Sequence, residues 1–218
     1  MIKLLDLLRE EKLDILKPRR SPEERQQNYA IATQKKIEQY IKDGGKGDLD
    51  LENTPITTLP NGLKVGGSLY LGSTKITSLP NGLTVGGNLG LYDTKITSLP
   101  NDLTVGSSLN LYNTKITSLP NGLTVGGSLD LRYTPISSLP NGLKVRGSLN
   151  LYKTKITSLP NYLTVGGSIY LGNTPITSLP NDLKVRNSLY LINTPISKKH
   201  TKEEIKKMVP GVKGNIYI

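Results

Sequence analysis

Hydrophobic positions recur along this chain every 20 residues without a slip in register. Leucine or isoleucine stands at Leu49, Leu69, Leu89, Leu109, Leu129, Leu149, Ile169 and Leu189, and again two residues on, from Leu51 to Leu191. Each unit continues through a threonine (Thr54 to Thr194), an isoleucine (Ile56 to Ile196), a Leu-Pro pair (Leu59-Pro60 to Leu179-Pro180) and a final Leu-x-Val. The alternation in Leu-x-Leu predicts a short strand with both leucines facing inward. Proline fixes its own φ and biases its predecessor away from helix, so Leu-Pro-Asn predicts extended backbone on the opposite side. A unit this short cannot bury enough apolar surface to offset the roughly 1 to 2 kcal/mol per residue of backbone entropy, so the copies must stack into a solenoid. In the unit Ser128 to Val145, the residues expected inside are Leu129, Leu131, Ile136, Leu139, Leu143 and Val145.

The two ends depart from the repeat. Ile2 to Leu16 gathers Leu4, Leu5, Leu8, Ile15 and Leu16 near one helical face, and Lys17-Pro18 ends it. Ser21-Pro22-Glu23-Glu24 starts a second helix, with serine as N-cap, proline at the first position and a glutamate three residues on to close a capping box. That helix is predicted to reach Asp43, with Ala30, Thr33, Ile37, Tyr40 and Ile41 on its apolar side and Gly44-Gly45 as terminator. Both helices read as a lid over the first repeat, with membrane-surface or partner binding as the alternative for Ile2 to Leu16. After Ser197 a further helix is expected, capped by Thr201 with Glu204, carrying Ile205, Met208 and Val209, and stopped by Pro210-Gly211. Val212-x-Gly214-x-Ile216-x-Ile218 then matches Val65-x-Gly67-x-Leu69-x-Leu71, which predicts a ninth strand. The domains expected are an N-terminal helical cap (residues 1–47), the repeats (48–196) and a C-terminal cap of helix plus strand (197–218).

Gly126 to Ile136 follows the L-x-x-L-x-L-x-x-N-x-L pattern, with Leu129, Leu131 and Ile136 in apolar slots, Thr134 in the asparagine slot and glycine in the first apolar slot. On these residues the chain resembles the leucine-rich repeat proteins. The segment ITSLPNGL, at Ile76 to Leu83, is similar to the short bacterial subclass found in secreted effectors, and the resemblance covers roughly Asp48 to Ile218. It implies an α/β repeat: a right-handed leucine-rich-repeat solenoid with a parallel sheet of about nine strands, an extended convex side and helical caps at both ends. It also implies a bacterial or phage recognition module that occupies or sequesters a host protein, for instance as an inhibitor of a host defence protein. In the ligase branch of that class a catalytic cysteine domain follows the repeats, whereas this sequence contains no cysteine.

Composition narrows the chemistry. With no tryptophan or phenylalanine the core is aliphatic, and the absence of cysteine excludes disulfides, thiolate nucleophiles and sulfur-ligated zinc. The opening MIKLLDLLREEKLDILK lacks an apolar run long enough for a signal peptide or a membrane span, so a cytoplasmic location is expected. The net charge of +11 suits a polyanionic partner, yet it is spread through the chain: residues 1–47 hold 11 basic and 8 acidic side chains, 48–196 hold 11 and 7, and 197–218 hold 6 and 2.

Function is expected where outward positions differ between copies. One column reads Asp50, Tyr70, Gly90, Asn110, Asp130, Asn150, Tyr170, Tyr190; the next reads Glu52, Gly72, Tyr92, Tyr112, Arg132, Tyr152, Gly172, Ile192. A protein-binding surface is expected at Tyr92, Asn110, Tyr112, Asp130, Arg132, Tyr133, Asn150, Tyr152 and Lys153, because tyrosine and arginine are enriched at binding hot spots. The competing reading is cross-strand cover of the sheet. A second candidate, for polyanion contact, is the row Lys75, Lys95, Lys115 and Lys155. Nucleic acid is the less favoured partner. Catalytic material is thin: His200 stands alone, Asp93 and Asp130 could face the same side about 10 Å apart but read as a coincidence, and the Gly-Gly pairs lack the lysine and helix of a phosphate loop. The chain is expected not to be an enzyme and to hold no metal or cofactor.

Overall fold

The structure is a computed structural model that describes residues 21–218; the helix expected over Ile2 to Leu16 lies outside the described residues. Each 20-residue unit contributes two strands of two residues. The Leu-x-Leu steps form β1 (Leu49–Asp50), β3 (Leu69–Tyr70), β5 (Leu89–Gly90), β7 (Leu109–Asn110), β9 (Leu129–Asp130), β11 (Leu149–Asn150), β13 (Ile169–Tyr170) and β15 (Leu189–Tyr190). Together with β16 (Ile216–Tyr217) they make a nine-stranded parallel sheet, each strand paired to its copy 20 residues away until β16 follows β15. The chain is therefore a parallel β-solenoid.

The far side holds a second sheet where only extended backbone was expected. The Lys-Val and Thr-Val steps form β2 (Lys64–Val65), β4 (Thr84–Val85), β6 (Thr104–Val105), β8 (Thr124–Val125), β10 (Lys144–Val145), β12 (Thr164–Val165) and β14 (Lys184–Val185), paired in parallel as seven strands. The reason is the strict period: every copy sets a β-branched valine inward at the same height, and its backbone groups need partners, which the next copy supplies. The Leu-Pro-Asn segments themselves remain outside both sheets.

The core runs unbroken between the two sheets. Leu129, Leu131 and Ile136 are fully buried, and Leu139, Leu143 and Val145 are buried beside them, as the period predicts. Two polar ladders line this core. The Thr134 side chain is buried and its hydroxyl donates to the Leu131 carbonyl at 2.7 Å, a bond repeated from Thr54 to Thr194 that closes a turn within each repeat. The residue before each inward leucine carries a side-chain oxygen that accepts the backbone N–H of its counterpart in the next repeat: Ser128 Oγ from Ser148 at 3.0 Å, Ser148 Oγ from Ser168 at 3.1 Å, beginning with Asp48 and ending with Asn215. Beside this ladder the glycines of neighbouring repeats lie close together. A Cβ at Gly147 would stand 2.5 Å from Ser128 Oγ, and one at Gly126 would stand 1.9 Å from the Gly106 carbonyl.

Helix α1 (Pro22–Lys42) has Ser21 as N-cap in a capping box with Glu24, and it ends at Asp43. It packs Thr33 and Ile37 inward with Tyr40 half-buried, while Ala30 and Ile41, expected on the same side, are exposed. Lys36 donates to the Asp50 carbonyl of β1. After β15, a one-turn helix α2 (Pro195–Lys199) that the repeat pattern did not predict starts on the N-cap Thr194, with Ser197 in place of the usual glutamate of the box. Helix α3 (Lys202–Met208) follows from Thr201 and Glu204, burying Ile205, with Val209 buried at its end.

Because the aliphatic core and the serine ladder both run between repeats, interior repeats should be the most sensitive. Leu131→Ala should cost about 2 to 5 kcal/mol of stability and Ser128→Ala, which leaves the Ser148 N–H without its acceptor, about 1 to 3 kcal/mol, both read from urea unfolding.

Candidate functional site

Outward positions of β7, β9 and β11 and the residues just after them converge into one cluster. Asp130 is fixed first: its Oδ1 accepts the Arg132 N–H at 3.1 Å, turning the chain at the end of the strand, and its two oxygens accept from Arg132 Nε at 3.0 Å each and from the guanidinium NH2 at 2.7 Å. Hydrogen bonding to Asp130 holds the Arg132 guanidinium above its ordinary pKa, with the carboxylate's charge adding to it and burial opposing it. The guanidinium lies over Tyr112 at 5.1 Å from the ring centroid. Tyr133 then packs edge-on against both Tyr112 (5.4 Å between centroids) and Tyr152 (5.8 Å). Lys153 Nζ caps two of these rings, 5.1 Å from Tyr133 and 5.5 Å from Tyr152.

The backbone at this cluster is unusual. The residue after each Leu-x-Leu-x step adopts a left-handed conformation with φ between 53° and 59° in all eight repeats. Six repeats place Asn, Asp or Ser there, at Asn53, Ser73, Asp93, Asn113, Asn173 and Asn193, residue types whose short polar side chains tolerate it. Tyr133 and Lys153 are the two exceptions, and bulky side chains in this conformation carry a strain of roughly 1 to 2 kcal/mol. The two strained residues are neighbours, and both belong to the cluster.

Of the residues predicted from sequence, the structure brings together Tyr112, Asp130, Arg132, Tyr133, Tyr152 and Lys153. Asn110 and Asn150 serve their own strands instead, accepting the N–H of Tyr112 at 3.0 Å and of Tyr152 at 3.1 Å, and so shape the cluster from beneath. Tyr92 stands apart. Its ring crosses the bare backbone of Gly72, where a Cβ would meet it at 2.2 Å, and hydrogen bonding to Glu52 raises its phenol pKa above the ordinary value, with burial adding to that. Lys75, Lys95, Lys115 and Lys155 are all exposed, and among the described residues none forms an ion pair.

Sequence reasoning passed over a second aromatic group. Tyr170, Tyr190 and Tyr217 stack face to face, with centroids 4.6 and 4.5 Å apart, because β13, β15 and β16 place them in one column. The signal was present in the match of Tyr217 to Tyr70 and Tyr190 in the repeat. Burial raises the Tyr190 pKa first, with the neighbouring Tyr170 and Tyr217 adding to it. The left-handed column was legible too, as a run of Asn and Asp at one repeat position.

Among the described residues no group of His, Asp or Glu is arranged to hold a metal ion, and no helix is long and apolar enough to cross a membrane. No described protein family matches the chain, and no curated protein matches it either.

Since strain and contact energy nearly offset each other at Tyr133, Tyr133→Asn should change unfolding stability by less than about 1 kcal/mol in either direction. A loss of several kcal/mol in urea unfolding would mean that the ring is needed for the fold.

Proposed function

We propose that this solenoid is a leucine-rich-repeat-type recognition module that binds a protein partner through the cluster of Tyr112, Asp130, Arg132, Tyr133, Tyr152 and Lys153, and that it acts by occupying that partner rather than by catalysis. The observation that carries the reading is the coincidence of strain and exposure. Tyr133 and Lys153 take a backbone conformation that their own repeats' neighbours fill with asparagine, and Tyr133 remains 42% exposed. Strained residues of this kind persist where function retains them. The Arg132 and Asp130 charges satisfy each other, which leaves Lys153 as a cation framed by aromatic rings. Such a surface suits a partner that offers a carboxylate amid apolar side chains. In this reading α1 and α3 cap the two ends of the core, as terminal elements of solenoids must, and the module works as an effector or inhibitor of the protein it covers.

The double variant Tyr133→Asn/Lys153→Asn tests this, because it restores the residue that Asn113 and Asn173 show the fold accepts. Affinity capture from host lysate with the wild-type chain and the variant should retain the same fold by circular dichroism and lose the specific partner, an effect of at least tenfold in Kd once the partner is purified. Retention of the partner by the variant, or capture that collapses steeply between low and moderate salt as phosphate-driven binding does, would overturn the reading.

A further inference from the structure

The seven-stranded sheet carries a basic slot of its own, and we propose that it binds single-stranded nucleic acid. Strands β10, β12 and β14 lie side by side with their valines inward, which turns Lys144, Thr164 and Lys184 outward. Two residues further on, Arg146 and Arg186 are also exposed, whereas Gly166 stands between them. The middle repeat thus forms a floor of Thr164 and Gly166 between two cationic walls about 9.6 Å apart, two parallel strand steps. Glycine leaves that floor bare: the Arg146 carbonyl lies 2.1 Å from where a Cβ at Gly166 would stand. Lys213 extends the wall beside Arg186: Val212 bridges Val185, and the Lys213 N–H donates to the Val185 carbonyl at 2.9 Å. A cleft of about 400 Å³ opens there, bordered by Lys184, Arg186 and Lys213.

This charge is local. The same outward positions in the middle of the sheet are Thr84, Gly86, Thr104, Gly106, Thr124 and Gly126. Among the described residues none of the cations at the slot forms an ion pair.

An aromatic ring at the same repeat makes the ligand more specific than any polyanion. Tyr162 precedes Thr164 by two residues, is 74% exposed, and holds φ at 59° where Gly62, Gly82, Gly122 and Gly142 fill the equivalent position. Its N–H donates to Asp182 Oδ2 at 3.1 Å, and its ring stacks on no other aromatic among the described residues. A strained, open ring at the end of a cationic slot offers a face for a base while Arg and Lys take the adjoining phosphates, the combination that single-strand binders use. The slot is one repeat wide, room for a single phosphodiester chain and not for a duplex.

Fluorescence anisotropy with a labelled oligothymidylate, titrated with the full chain at several salt concentrations, tests the assignment. Tyr162→Gly and Arg146→Gly/Arg186→Gly both install the residue found in other repeats, so circular dichroism should report an intact fold. Tyr162→Gly should weaken binding about tenfold at every salt concentration, through lost stacking. The arginine pair should weaken it and reduce the log–log salt slope by about 1.4, two single-strand phosphates. Tyr133→Asn/Lys153→Asn should leave oligonucleotide binding unchanged, which separates this slot from the protein-binding cluster. Absence of binding at low salt, an unaltered affinity for Tyr162→Gly, or equal competition by poly-glutamate, the mark of an acidic protein partner, would overturn it.

Discussion

Every feature of this molecule depends on backbone hydrogen bonds that leave one repeat and end in the next. The Leu129 and Leu131 N–H groups reach the Ser148 and Asn150 carbonyls at 2.9 and 2.8 Å, and the same two bonds recur along the nine-stranded sheet. A two-residue strand has no stability by itself, and an isolated repeat would leave these groups without partners. Pairing in parallel satisfies them at the constant spacing from Leu49 to Leu189, and the same two bonds form across the longer connection from β15 to β16, where the strand register is kept. The serine ladder adds a second bond at the same offset, and it persists where Ser107 and Asn187 replace the glycine beside it.

A lattice this strict frees its outward positions. Leu129 and Leu131 lie fully buried in a column whose copies are leucine or isoleucine, whereas Asp130 and Arg132 touch mainly each other and the ring of Tyr112. Variation is therefore concentrated on the surface, and a cluster can be assembled by substitutions in three consecutive repeats without disturbing the frame. The left-handed position shows how far this tolerance reaches. It accepts Tyr133 and Lys153 because the inter-repeat bonds hold the backbone in place whatever the side chain prefers.

Much of this fold was legible in the chain because its signals are periodic and local. The inward leucines, the ninth strand at Ile216 and the capped helix beginning at Ser21 all follow from spacing or capping chemistry. The second sheet was not legible, since Lys144-Val145 reads as one more inward valine and nothing in a single repeat reveals that its backbone pairs with Thr164-Val165. The one-turn helix after Thr194 was missed for a related reason: Pro195 also occurs as Pro55, Pro135 and Pro175, where no helix follows, and the difference lies in the lost Leu-Pro pair downstream. At the cluster, the column pattern identified the residues facing outward but not their pairing. Tyr92 turned toward Glu52 because Gly72, its counterpart one repeat earlier in the same column, left room on that side.

Native-state amide hydrogen exchange, followed residue by residue in NMR spectra, addresses the inter-repeat bonding directly. The N–H groups of Leu109, Leu111, Leu129, Leu131, Leu149 and Leu151 should exchange slowly and at a common rate, since opening one requires parting two repeats. The N–H groups of Ser128, Ser148 and Ser168, held by the serine ladder, should be protected to a similar degree. Rapid exchange of the leucine N–H groups in a chain that keeps its folded circular dichroism would contradict an architecture held together between repeats.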